Sequence, residues 1–141
     1  MEVVKLEASH VEWLLKQKAT QGFGTFWTKQ HTERLEKDRY AYTGIEGDRI
    51  LFCAGVVEYW PGRGEAWAIL DQALKTDFLK VHNAVKRFLD ICPLKRIEAT
   101  VDFEFEAGHR WVELLGFRLE AERMQSYRMD GGDASLYARV R

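Results

Sequence analysis

A chain of 141 residues, 46% hydrophobic and 30% charged, is long enough for one domain with a proper core and too short for two. Lys plus Arg number 21 against 22 for Asp plus Glu, so no global field recruits nucleic acid or an anionic membrane, and any polyanion site must be local. The opening M-E-V-V-K-L-E-A-S-H carries acid and no long apolar run, which predicts neither a signal peptide nor a membrane span and points to a cytoplasm. Cys53 and Cys92 sit inside apolar runs without metal-ligand spacing, so buried reduced thiols are expected rather than a disulfide or a nucleophile.

Val3, Val4 and Leu6 can form a first strand. Ser9-His10-Val11-Glu12 then offers a capping box, in which hydroxyl and carboxylate satisfy each other's backbone donors, and a helix is expected to start there. Val11, Leu14, Leu15 and Lys18 share a face, and the pattern dissolves at Gln21-Gly22-Phe23-Gly24. Phe23, Phe26 and Trp27 flank that turn, either as a lid over a pocket or as a small satellite core. Thr28 is placed to cap a second helix over residues 29–37, a charged segment expected to be exposed along most of its length.

Tyr40 to Glu46 and Arg49 to Trp60 flank Gly47-Asp48, where glycine at the first central position suits a type II′ turn. Gly55 interrupts the second strand and marks a bulge or a close backbone approach. Trp60-Pro61-Gly62-Arg63-Gly64 turns the chain again, and Glu65 to Leu70 reads as the next strand. Between Thr76 and Cys92 the set Phe78, Val81, Val85, Phe88 and Cys92 has helical spacing, with Pro93 ending it.

From Arg96 to Phe117 the hydrophobic period changes once. Ile97, Ala99 and Val101 alternate with Glu98, Thr100 and Asp102, as on a strand, whereas Ala107, Gly108, Trp111, Val112 and Leu115 recur at helical spacing. The predicted helix runs from Glu104 to Leu115, buries Trp111 and Leu115, and stops at Gly116, where a left-handed position costs glycine little. His82 and His109 fall on the polar sides of their helices, where they are expected to be solvated, and they lack metal-site spacing, so no metal is expected. Leu119 to Met129 and Ala134 to Val140 flank Asp130-Gly131-Gly132-Asp133, a hairpin signal.

The run W-V-E-L-L-G-F followed by R-L-E-A-E-R resembles the last third of a GCN5-related N-acetyltransferase (GNAT), and the order of elements resembles that family over nearly the whole chain. The resemblance implies a single α/β (α+β) domain over 1–141, with a mixed, mostly antiparallel sheet of about seven strands flanked by about four helices. It implies acetyl-CoA as the acyl donor, admitted where the strand of Glu65 to Leu70 and that of Ile97 to Val101 splay apart, with Ile69, Leu70 and Asp102 at the opening. Family members cradle the pyrophosphate with Gln/Arg-x-x-Gly-x-Gly/Ala. Here Asp71-Gln72-Ala73-Leu74-Lys75-Thr76-Asp77 stands instead, and no glycine lets the backbone approach closely. The amides of Phe78 and Leu79 at a helix N-terminus, with Lys75, Thr76 and Lys80, could still hold phosphate; an ordinary capped helix with a solvated basic face is the other reading.

Two more family positions depart from the pattern: the asparagine that holds the pantetheine arm falls at Phe105, and the tyrosine that protonates the thiolate falls at Val112. Neither replacement donates a proton, and Tyr127 is the nearest tyrosine by topology, either an acid or a sheet aromatic. Glu65 is the best-placed carboxylate for taking a proton from the attacking amine, or else a strand-edge charge that keeps the sheet soluble. The resemblance therefore implies transfer of an acetyl group to a primary amine of a small molecule or protein, with assembly as a homodimer left open. A catalytically silent GNAT-shaped partner-binding protein is the alternative. The short layout also resembles acetyltransferase-like proteins of T7-like phages, including an internal virion protein family, which implies a host cytoplasm or a virion.

Overall fold

The parallel strand pair that organises the fold follows from a strand–helix–strand spacing that an antiparallel hairpin cannot use. The computed structural model describes residues 1–16 and 29–141; Phe23, Phe26, Trp27 and Thr28 lie outside the described residues. In chain order the elements are β1 (Glu2–Lys5), α1 (Ala8–Leu15), α2 (Lys29–Glu36), β2 (Tyr40–Glu46), β3 (Arg49–Trp60), β4 (Arg63–Leu70), α3 (Phe78–Ile91), β5 (Arg96–Asp102), α4 (Glu106–Leu114), β6 (Arg118–Met124) and β7 (Ala134–Val140). A 3₁₀ turn over Lys75–Asp77 leads into α3. The strands form one seven-stranded, mostly antiparallel sheet in the order β1-β2-β3-β4-β5-β7-β6. β4 pairs parallel with β5 through Arg63↔Arg96, Gly64↔Ile97 and Glu65↔Glu98, and the ladder ends there, while β5 pairs antiparallel with β7 along its full length. No described helix is long and apolar enough to cross a membrane.

The contacts divide the chain into two compact units, Met1–Val57 with Trp67–Phe88, and Glu58–Ala66 with Leu89–Arg141. In the first unit, Val11 and Leu14 of α1 and Leu35 of α2 pack with Ala41, Cys53 and Ile69 of the sheet, and Val81 of α3 packs with Leu51, Phe52 and Leu74 in a separate cluster. Gly47 takes φ +61° at the turn, as a II′ hairpin requires of its first central residue. Gly55 makes the close approach: an added Cβ would lie 2.1 Å from the Tyr40 carbonyl oxygen. The irregularity in the β2–β3 ladder is elsewhere, at Gly44/Ile45.

In the second unit α4 covers β5, with Val112, Leu115, Phe117, Ile97 and Val101 all buried. Its end is a Schellman motif: Phe117 N–H donates to Val112 O and Gly116 N–H to Glu113 O, with Gly116 at φ +93°.

As expected, α2 is exposed along most of its described length, with Thr32 and Leu35 as its buried anchors. Three expectations need correction. The cap of α1 is Glu7 with His10, whose Nδ1 accepts the Glu7 N–H at 3.2 Å, and not Ser9 with Glu12; Ala8 N–H is held by Glu36 of α2. α4 starts two residues late, at Glu106, and Val112 takes the buried position while Trp111 is half-buried. β6 ends at Met124, so Tyr127 belongs to the β6–β7 connection and not to a strand.

Candidate functional site

The second unit holds Glu65 and the charged groups around it. Period two puts Arg63 and Glu65 on one face of β4, and the turn at Pro61-Gly62, with Gly62 at φ +98°, returns β3 so that the Tyr59 hydroxyl donates to Glu65 Oε2. The Arg63 guanidinium lies 5.0 Å from the Tyr59 ring centre and 4.5 Å from that of Trp60, and donates to both carboxylate oxygens of Glu98 on β5 at 2.7 and 2.9 Å. Arg96 donates to Glu98 at 2.6 Å and grips both oxygens of Glu120 on β6. Glu98 is only 8% exposed. The Arg63 guanidinium, helped by Arg96, holds its carboxyl at about 2 against the opposing push of burial.

Tyr127 lies in the β6–β7 connection and is coupled to this cluster through charge. Asp133 fixes the connection that carries it, accepting from Ser126 N–H at 2.8 Å and from Arg123 Nε at 2.6 Å, and Arg128 Nε lies 3.2 Å from Asp102. Burial and the charges of Glu65 and Glu98 raise the Tyr127 pKa; burial, then its hydrogen bond to Glu65, raises that of Tyr59. Both phenols therefore keep their protons at neutral pH, and Glu65 is the group beside them able to accept one. Of the two sequence-predicted catalytic residues, Glu65 accepts a hydrogen bond from Tyr59, and Tyr127 feels the charge of Glu65. Tyr59, Arg63 and Glu98 were missed, although a turn centred on Pro61-Gly62 brings Tyr59 and Glu65 within about one residue of facing each other, which the sequence allows one to read.

His109 is not solvated. Its Nε2 meets Phe103 O at 2.9 Å and its Nδ1 meets the Tyr137 hydroxyl at 2.8 Å. A carbonyl can only accept, so Nε2 carries the proton, and Nδ1 accepts from Tyr137. The pair ties α4 to β7. Asp102, expected at the cofactor opening, is engaged by Arg128 instead.

The expected phosphate loop, in the first unit, is closed from within. Arg49 donates to Asp71 Oδ2 at 2.8 Å, to Asp77 Oδ2 at 3.0 Å and to the Ala73 carbonyl oxygen. Asp71 is buried, and its other oxygen accepts the Ala73 N–H. Lys80 donates to Glu46 at 2.8 Å and lies 3.5 Å from Asp77. The Phe78 N–H donates to Lys75 O within the 3₁₀ turn, so it is not a free donor at a helix start. Leu79 is exposed, Ile69 has its side chain in the core, and Leu70 packs against the cluster around Val81. Of the predicted cofactor set, Lys75 and Thr76 are exposed with no partner among the described residues. Arg49 and Lys80 are thus already paired with Asp71, Asp77 and Glu46, which leaves Lys75 as the loop's uncommitted cation for a pyrophosphate.

No family model and no curated protein matches the sequence. Solved structures resemble the fold. A mutant spermidine N-acetyltransferase from Vibrio cholerae matches with a TM-score of 0.75 and 14% identity over 99% of this chain and 95% of its own. The ribosomal-protein-S18-alanine N-acetyltransferase from Escherichia coli matches with a TM-score of 0.77 and 15% identity over 99% and 92%. RimL, a ribosomal L7/L12 alpha-N-protein acetyltransferase in complex with coenzyme A, gives 0.72 and 16% over 98% and 92%. The fold is that of the GNAT acetyltransferases, and these likenesses lend no support to a phage origin.

Proposed function

We propose that the protein is an N-acetyltransferase that uses acetyl-CoA and a primary amine of a small molecule or protein. The observation that carries this reading is the hydrogen bond from Tyr59 to Glu65 where the parallel ladder of β4 and β5 ends, with Tyr127 feeling the same carboxylate's charge. Acetyl-CoA supplies an activated acyl carbon, and the chain's own residues handle protons. Glu65 accepts a proton from the incoming ammonium, leaving a neutral nitrogen able to attack. Tyr59 orders the carboxylate by donating to it, which fixes the direction from which the ammonium must approach. Tyr127, held protonated, serves as a hydrogen-bond donor to developing negative charge rather than as a full proton source, because its raised pKa makes release unfavourable. Lys75 and Thr76 supply the uncommitted polar groups of the loop, so the nucleotide half of the donor is held less by that loop than the family pattern implies.

A second reading, a catalytically silent GNAT-shaped protein that binds a partner, is favoured by one observation, the Arg49 clamp on Asp71, Ala73 and Asp77. Thermal unfolding in rising coenzyme A separates the two. A melting temperature that climbs with the logarithm of ligand concentration supports the enzyme, and one unmoved by millimolar coenzyme A supports the silent form.

A further inference from the structure

A groove of about 610 Å³ in the second unit plays no part in the proposed acyl transfer. It is lined by Arg118 at the start of β6, Arg139 and Arg141 at the end of β7, Glu120, and Asp90 near the end of α3. Its acids are already engaged. Arg96, from outside the lining, takes both oxygens of Glu120, and Arg139 donates to Asp90 Oδ1. Arg141 donates only to the carbonyl oxygens of Leu89 and Asp90, which carry no net charge. Among the described residues neither Arg118 nor Arg141 has a carboxylate partner. Two guanidiniums therefore line one concavity without a side-chain carboxylate partner among the described residues, in a chain whose net charge is −1. A guanidinium presents its donors as a planar fork that matches two oxygens of one carboxylate or phosphate. The volume falls in the range that holds one small ligand.

We propose that this groove is an oxyanion site, taking the phosphate or carboxylate group of a small molecule between Arg118 and Arg141. Titration calorimetry of the full chain at low ionic strength, with inorganic phosphate in one arm and citrate in the other, tests it. Binding at millimolar or lower concentration is expected in at least one arm, and the arm that binds identifies the phosphate or the carboxylate as the group recognised. Arg118→Gln should weaken that binding about tenfold, since it removes a charge-assisted fork. This side chain holds nothing else among the described residues, so the variant keeps its fold. Arg141→Gln should weaken binding similarly, and Arg87→Gln, an exposed arginine in the other unit, should leave it unchanged. Binding absent from both arms, or equal in wild type and both arginine variants, or lost as readily in Arg87→Gln, overturns the proposal.

Discussion

The cluster around Glu65 and the loop from Asp71 to Asp77 both mix acids with cations, yet they are wired in opposite ways. In the first, Arg63 and Arg96 are spent on Glu98 and Glu120, and Glu65 meets the Tyr59 hydroxyl through Oε2 alone, which leaves its other oxygen to accept a proton. In the second, each acid is turned onto a cation of the chain itself, Asp71 and Asp77 onto Arg49 and Glu46 onto Lys80. The difference teaches that composition is a poor guide to a charged site. What matters is whether the counter-charge is already supplied internally, because a satisfied ion pair offers a ligand little beyond what water offers.

The comparison breaks first at Glu65. Glu65→Gln should lower kcat/KM about 10²- to 10⁴-fold below the pKa of the acceptor amine and far less above it, where the amine is already neutral. An equal loss at every pH would remove Glu65 as base. Next comes Glu98→Gln, which leaves two guanidiniums short of their acceptor and should cost about 2–3 kcal/mol in urea unfolding at pH 7. Because the Glu98 carboxyl is held at about 2 when folded and titrates higher when unfolded, its contribution is present above the ordinary carboxylate range. It fades as pH falls through that range toward 2, so the gap between wild type and Glu98→Gln should close in acid. A gap that widened there would contradict the ion-pair assignment. The smallest effect sharpens the loop's side of the contrast. Asp77→Asn frees one donor each on Arg49 and Lys80 and should tighten coenzyme A about three- to tenfold by calorimetry. No change would mean that phosphates do not approach this loop at all.

Much of this was legible in the sequence, for physical reasons that differ from element to element. The strand–helix–strand run from Glu65 to Val101 dictates the parallel pair, and W-V-E-L-L-G-F dictates the helix stop, because each depends on residues close in sequence. Glu65 and Tyr127 were read as separate candidates, and the charge of Glu65 raises the Tyr127 pKa. What stayed hidden was non-local. Glu98 sits on the polar side of an alternating strand and is nevertheless buried, because two arginines and not apolar residues cover it. Arg49 closes the loop from 22 residues away, a relation no local pattern encodes. Two capping boxes overlap at the start of α1, and Glu7 wins because Glu36, contributed by α2, secures the next amide. Trp111 loses the deepest position to Val112 since α4 begins later than the apolar pattern suggests.

Both thiols are buried, and burial pushes that of Cys53 up to about 12. At neutral pH only about one molecule in 10⁵ then carries a Cys53 thiolate, the form that reacts with disulfide dyes and alkylating agents. A colorimetric assay that counts coenzyme A released during turnover should therefore run without a background from the folded protein. The same two side chains serve as a clock. Under mild denaturant their rate of labelling reports how often the surrounding core opens, separately for Cys53 in one unit and Cys92 in the other.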